Sequence, residues 1–363
     1  MDNEFKIPWS KPSFGEEELN SLQTVINSGW LTQGKKTSEF EINLSEYLTS
    51  HTVVVNSGSS ALACALLAHG LKPGDKVLVP NFTFFATYSV PKMLGADVIL
   101  SDVDEFTLNM TPEIVEKIVK TQNVKMVIIV DVGGLPLDIE AFTELSHRYN
   151  FILIEDAAEA LGSEYRSKKI GSFDHTSIFS FHIAKQITTI EGGCVSSNDK
   201  NIIKKITQIR DQGRSTSGEY VHSIIGSNFR ITDLQSALGI EQLNKIDSFL
   251  TTRNKIASEY KKNIKELKFQ QIPHYVNNHS YMMFFAFTEN SQMRDKYLNT
   301  LRANGIDARL SWLPLHKQPV NSVFHNCSFP NSEKIYANSL TLPIYNSMTD
   351  DELKFVIETC QNV

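Results

Sequence analysis

Up to about residue 210, short apolar and β-branched runs alternate with longer stretches whose apolar positions recur at helical spacing. The runs at 53–55, 76–80, 96–100, 125–130 and 151–155 read as strands. Residues 59–69, the stretch leading to Gly95, 112–120 and 139–148 read as helices, the third with Thr111 as N-cap and Pro112 at its first position. Met126-Val127-Ile128-Ile129-Val130 shows no polar alternation, so both faces of that strand should be covered. The pattern predicts an α/β fold with a parallel sheet, and functional groups at the carboxyl ends of its strands.

The rhythm then changes. Residues 212–229 are rich in Gly, Ser and Arg and read as a loop. One long helical stretch is expected over 232–267, from the spacing of Leu234, Leu238, Ile240 and Leu243. From about residue 268 a smaller α+β unit is expected, ending in a helix over 350–360. The predicted organisation is a large domain, 1–245, and a small C-terminal domain, 246–363.

Composition narrows the class. With 363 residues, 41% hydrophobic and 21% charged, the chain can build a sizeable core, which excludes disorder as its main state. A net charge of −6 argues against nucleic acid as a partner. No basic-then-apolar leader and no membrane-length apolar run is present, so a soluble cytoplasmic protein is expected. Cys64, Cys194, Cys327 and Cys360 are scattered, and no two of the ten histidines stand at ligand spacing, so no metal site is expected.

Several motifs fail. Gly29-Trp30-Leu31-Thr32-Gln33-Gly34-Lys35-Lys36 is nearly a phosphate-binding P-loop. It has lysine where Ser or Thr should hold magnesium, and no strand feeds it. There is no GxGxxG, which counts against a nucleotide-sugar oxidoreductase, and no GxSxG.

Four other features combine. Asn56-Ser57-Gly58-Ser59-Ser60-Ala61 follows a strand and opens a helix, where backbone N–H groups can face an anion. Asn81-Phe82-Thr83-Phe84-Phe85 offers rings that could stack on a flat group. Glu155-Asp156-Ala157-Ala158 puts an acid at a strand's carboxyl end. Lys185 follows Phe181-His182-Ile183-Ala184, surroundings that can desolvate an amine, and Glu191-Gly192-Gly193 lies beyond it. Singly, these are also compatible with a capped helix, core packing, a surface acid and an exposed lysine. Together they supply what pyridoxal phosphate (PLP) requires: a phosphate cradle, a stacking face, an acid for the ring nitrogen and a Schiff-base lysine. The acid precedes the lysine by 29 residues.

In this order the chain resembles the DegT/DnrJ/EryC1/StrS family of nucleotide-sugar aminotransferases. The resemblance runs from Ser28–Gly34 through 57–62, 74–77, 80–83, 155–163, 180–193, 226–233 and 314–319 to Leu342-Pro343. It implies the aspartate-aminotransferase-like PLP fold (fold type I), whose large domain holds a mainly parallel seven-stranded sheet flanked by helices. It also implies that Lys185 forms the Schiff base and shuttles the proton, and that Asp156 pairs with the pyridine nitrogen. Gly58, Ser59, Ser60 and Ser180 hold the phosphate, and Phe84 stacks on the ring. Asn228 completes the phosphate site from a partner subunit, so a homodimer with shared active sites is implied. Thr32, Arg230 and His316 are implied substrate contacts.

Glu159 stands where many members carry Gln or His, beside the ring and the incoming sugar, and resembles the perosamine-synthase branch. Asp131-Val132 occupies a stretch where the family usually has His and a hydrophobic or aromatic residue, and Ser227 and Phe229 replace more usual tyrosines. Retention of Lys185, where dehydratase relatives carry histidine, favours transamination. The expected substrates are L-glutamate, leaving as 2-oxoglutarate, and a nucleotide-linked 4-keto-6-deoxy sugar. A GDP-linked sugar giving perosamine, for O-antigen or another surface polysaccharide, leads. UDP- or dTDP-linked sugars and 3-amination are alternatives. A catalytically silent regulator on the same fold is the rival of another class.

Overall fold

The computed structural model describes residues 5–216 and 220–363. Residues 1–4 of the expected large domain and 217–219 of the expected loop lie outside the described residues.

The five expected strands form, as His51–Val55, Lys76–Pro80, Asp97–Ser101, Met126–Val130 and Ile152–Asp156. Two more join them, Thr176–Ser180 and Gly193–Ser197. Across the sheet the order is 51–55, 193–197, 176–180, 152–156, 126–130, 76–80, 97–101. Gly193–Ser197 runs antiparallel to both neighbours, and the remaining pairs are parallel. Thr176-Ser177-Ile178-Phe179-Ser180 is too polar to announce a buried strand. Its burial becomes possible because its hydroxyls find partners: Ser177 Oγ donates to Glu155 Oε2 at 2.6 Å. On Gly193–Ser197, Ser196 Oγ likewise donates to the Gly171 carbonyl at 2.6 Å.

Alternate residues of each strand feed two cores. Val54, Leu78, Val127, Ile129 and Phe179 belong to one, and Val53, Val77, Val79, Ile128 and Ile178 to the other. Helices therefore cover both faces, as uninterrupted apolar runs require.

The stretch 232–267 is two helices, Asp233–Asn244 and Ile246–Asn263, and residues 264–267 are not helical. Thr232 and Gln235 cap the first helix reciprocally. The break falls at Lys245, whose ammonium reaches back to Glu17 at 3.1 Å and Glu18 at 2.8 Å on the helix Glu16–Ser28. Beyond it, Lys268–Phe269, Phe284–Phe287, Ser339–Leu342 and Arg309–Leu310 make an antiparallel four-stranded sheet. A third core lies there, including Ile256, Tyr260, Leu301, Leu340 and Val356. The last helix is Asp350–Gln361. Among the described residues, no helix is long and apolar enough to cross a membrane.

The near-P-loop has a structural use. The amides of Gly34, Lys36 and Thr37, at the start of the helix Lys35–Leu48, donate to the Asp233 carboxylate at 2.7, 3.1 and 2.9 Å. The helix N-terminus is thus already occupied by a carboxylate of the same chain.

Candidate active site

A cavity of about 450 Å³ opens at the carboxyl ends of the strands Ile152–Asp156 and Thr176–Ser180. Gly58, Ser59, Phe84, Asp156, Glu159, Ser180 and Lys185 all line it. Ser60 is one step behind: its amide donates to Ser57 Oγ at 3.1 Å, and the two hydroxyls lie 2.9 Å apart. This bond caps the helix Gly58–Ala68. A Cβ on Gly58 would stand 2.9 Å from Ser180 Cβ, so this wall has room only for glycine.

Asp156, the last residue of its strand, is buried. Thr87 Oγ1 donates to its Oδ2 at 2.7 Å and the Ala158 amide to its Oδ1 at 3.3 Å. Burial holds the carboxyl above its ordinary range. The Thr87 and Ala158 bonds and the nearby Lys185 charge pull it back down.

Lys185 sits in the turn between Thr176–Ser180 and Gly193–Ser197. The turn is closed by the Phe181 amide on the Gly192 carbonyl at 2.8 Å and the Thr189 amide on the Phe181 carbonyl at 3.0 Å. Lys185 Nζ donates to Glu159 Oε1 at 3.2 Å, and the Gly133 amide donates to Glu159 Oε2 at 2.9 Å. The neighbouring Gln186 side chain bonds the Glu159 carbonyl and donates to Ser280 Oγ at 2.8 Å. The lysine turn is therefore fastened to the Glu159 segment and to the chain beyond residue 268.

Four predicted residues stand elsewhere. Thr32 and Asn228 are exposed and off the cavity wall. Asn228 lies beside the cradle, its carbonyl accepting from Asn56 Nδ2 at 3.4 Å. Arg230 is paired with Asp211 at 2.5 Å. His316 is buried, with Asn81 on Nδ1 at 2.9 Å and Glu333 on Nε2 at 3.0 Å.

The cavity also has walls that the motifs did not name. Thr83 and Thr87 sit with hydroxyls 3.0 Å apart, and their one-turn spacing in Asn81-Phe82-Thr83-Phe84-Phe85-Ala86-Thr87 was the available signal. Trp9, Met282, Met283, Arg309 and Trp312 come from distant segments with no local signal. Trp312 meets the half-exposed Phe84 edge-on at 6.5 Å.

These residues fit PLP. A buried acid whose Thr87 and Ala158 bonds favour the carboxylate suits a cationic ring nitrogen, a capped helix start with small side chains suits a phosphate, and an amine held by a carboxylate suits Schiff-base chemistry.

Known proteins point the same way. The chain is 32% identical to the GDP-perosamine synthase of Escherichia coli O157:H7, over 97% of each chain. Its structure matches Helicobacter pylori PseC, an aminotransferase involved in the biosynthesis of pseudoaminic acid, with a TM-score of 0.92, 26% identity and 98% of each chain covered. It matches the PLP form of a putative sugar aminotransferase, Spr1654 from Streptococcus pneumoniae, with a TM-score of 0.91, 27% identity and 98% of each chain covered. The model of the DegT/DnrJ/EryC1/StrS aminotransferase family matches residues 12–361. With its fold, its cavity and these likenesses in agreement, the chain belongs to that family of PLP-dependent aminotransferases.

Proposed function

We propose that this chain transfers the amino group of L-glutamate to C4 of a nucleotide-linked 4-keto-6-deoxy sugar, with a GDP-linked hexose and a perosamine product as the first choice. The observation that carries the reading is the meeting of Lys185, Asp156 and the Gly58-Ser59 cradle in one cavity, with Ser60 directly behind it. The similarity to a GDP-perosamine synthase supports the sugar, and Glu159 beside Lys185 agrees with it.

When bound, PLP supplies the carbonyl that takes up the amino group and the electron sink for the substrate carbon. Lys185 would hold the cofactor through Nζ and carry the proton there, with Glu159 orienting the amine beforehand. Asp156 would pair with the ring nitrogen, and the Thr87 bond favours its ionised form against burial and orients it. Gly58, Ser59, Ser60 and Ser180 would take the phosphate, and Phe84 would offer a face for the ring. Asn228, Arg230 and Thr32 lie off the wall of their own cavity, which suits service to the cavity of a second copy in a homodimer. His316, buried between Asn81 and Glu333 and off the cavity wall, takes no part in this scheme.

The test is turnover. The purified holoenzyme, L-glutamate and a GDP-linked 4-keto-6-deoxy hexose should give 2-oxoglutarate and an amino sugar of matching mass, and Lys185→Ala should give neither. UDP- and dTDP-linked substrates run in parallel. Turnover of one of those, with none of the GDP sugar, would replace the GDP assignment. Turnover by Lys185→Ala would remove the lysine's role.

A further inference from the structure

Behind Asp156, on the opposite face of the sheet, lie two more carboxyl groups that the chemistry above does not use. Asp131 follows the strand Met126–Val130, and Glu155 lies on the adjacent strand Ile152–Asp156. Register pairs Ile129 with Glu155, so alternation puts Asp131 and Glu155 on one face and Asp156 on the other. Both are fully buried. Each uses one oxygen: Asp131 Oδ1 accepts the Leu137 amide at 3.3 Å, while Glu155 Oε2 accepts Ser177 Oγ at 2.6 Å and faces His175 Nε2 at 3.1 Å. The other two oxygens, Asp131 Oδ2 and Glu155 Oε1, have no other partner. Two ionised carboxylates cannot face each other dry.

We propose that Asp131 and Glu155 hold one proton between their two free oxygens, and that this pair positions the 131–137 turn so that the Gly133 amide stays on Glu159 beside Lys185.

The turn depends on Asp131 at three points. Its side chain takes the Leu137 amide, its carbonyl takes the Gly134 amide at 2.9 Å, and its own amide reaches the Asp156 carbonyl at 3.3 Å. Between those anchors Gly133, at φ +72°, turns its N–H onto Glu159 Oε2. Removing the proton would set like charges against each other at the base of this turn. Burial and the charges of Glu155 and Asp156 hold Asp131 well above the ordinary carboxylate range. The other titratable groups nearby are His175 on Glu155, and Tyr275, whose phenol burial pushes up to about 12 with Asp138 and Asp131 adding to it. Asp131 and Glu155 touch neither substrate nor cofactor, so they are positioning residues, and the inference is independent of which keto sugar is taken.

The test uses the holoenzyme. Folded Asp131 keeps a proton that the unfolded chain releases at about pH 4. The wild-type protein should therefore lose stability against Asp131→Asn as pH rises above that value, by about 2 °C in melting temperature per pH unit. Parallel melting curves would overturn the shared proton. Asp131→Leu should move the pH midpoint of the visible cofactor band, while Asp131→Asn, which still bonds Glu155, stays near wild type. Equal midpoints in all three would overturn the positioning. Where leucine prevents folding, Glu155→Gln carries the test: with a donating amide in place of the second carboxylate, Asp131 ionises at a lower pH and the pH slope covers a narrower range. An unchanged slope would overturn the pairing.

Discussion

Lys185 Nζ lies 3.2 Å from Glu159 Oε1, with both side chains largely out of water, and the second oxygen of the same carboxylate is held by the Gly133 amide. The carboxylate thus joins the amine to a fixed backbone point. An amide in its place must choose. With its oxygen on Gly133 it turns an NH₂ toward the ammonium, and with its oxygen on Lys185 it sets two donors together.

Glu159→Gln should therefore cost about the worth of one charge-assisted bond, about 1.5–3 kcal/mol, or roughly ten- to a hundredfold. The loss should appear in the rate at which the apo-protein regains its visible absorbance with PLP, and in turnover. An unchanged reconstitution rate would show that the pair does not prepare the lysine.

Thr87→Val should make the enzyme more sensitive to acid. Thr87 lowers the Asp156 pKa against the burial that raises it. Without the hydroxyl, Asp156 takes up its proton at a higher pH, so the acid limb of kcat/KM should move upward, with about a tenfold loss on that limb. The alkaline limb should stay in place. A uniform loss at every pH would assign Thr87 to shape alone.

Gly58→Ala should act on the cofactor rather than on the fold. The added methyl meets Ser180 Cβ at 2.9 Å, so the strand end and the helix start must separate just where the phosphate is to sit. The PLP dissociation constant should rise roughly tenfold or more, which is about 1.4 kcal/mol, by equilibrium dialysis. Unaltered affinity would move the phosphate away from this wall.

The parts legible in the sequence share a cause: each is written locally. Met126–Val130 announces a buried strand because every residue is apolar, and the Ser57–Ser60 cap is a four-residue signal. Thr176–Ser180 was hidden because its burial depends on Glu155, from another strand. The helix break at Lys245 was hidden because its partners are Glu17 and Glu18, more than 200 positions away. Trp9, Arg309 and Trp312 reach the cavity only after the last third of the chain folds back onto the large sheet. The meeting of Lys185 and Asp156 in one cavity could be read from motifs. The outer wall, with Trp9, Arg309 and Trp312, could not.

His316→Ala should lower stability and leave substrate affinity alone. The ring is buried off the cavity wall, and its two nitrogens meet Asn81 and Glu333. Removing it leaves the buried Asn81 amide short of a partner, at a cost of about 1–3 kcal/mol in urea unfolding. Burial pushes the imidazole below its ordinary value, although Glu333 opposes this. A depressed folded pKa means the wild-type contribution is complete above the unfolded value of about 6.5 and fades as pH falls through the folded one. The stability gap between wild type and His316→Ala should therefore narrow in acid. A rise in KM for the keto sugar with no loss of stability would instead place the ring in contact with substrate, in a geometry other than the one seen here.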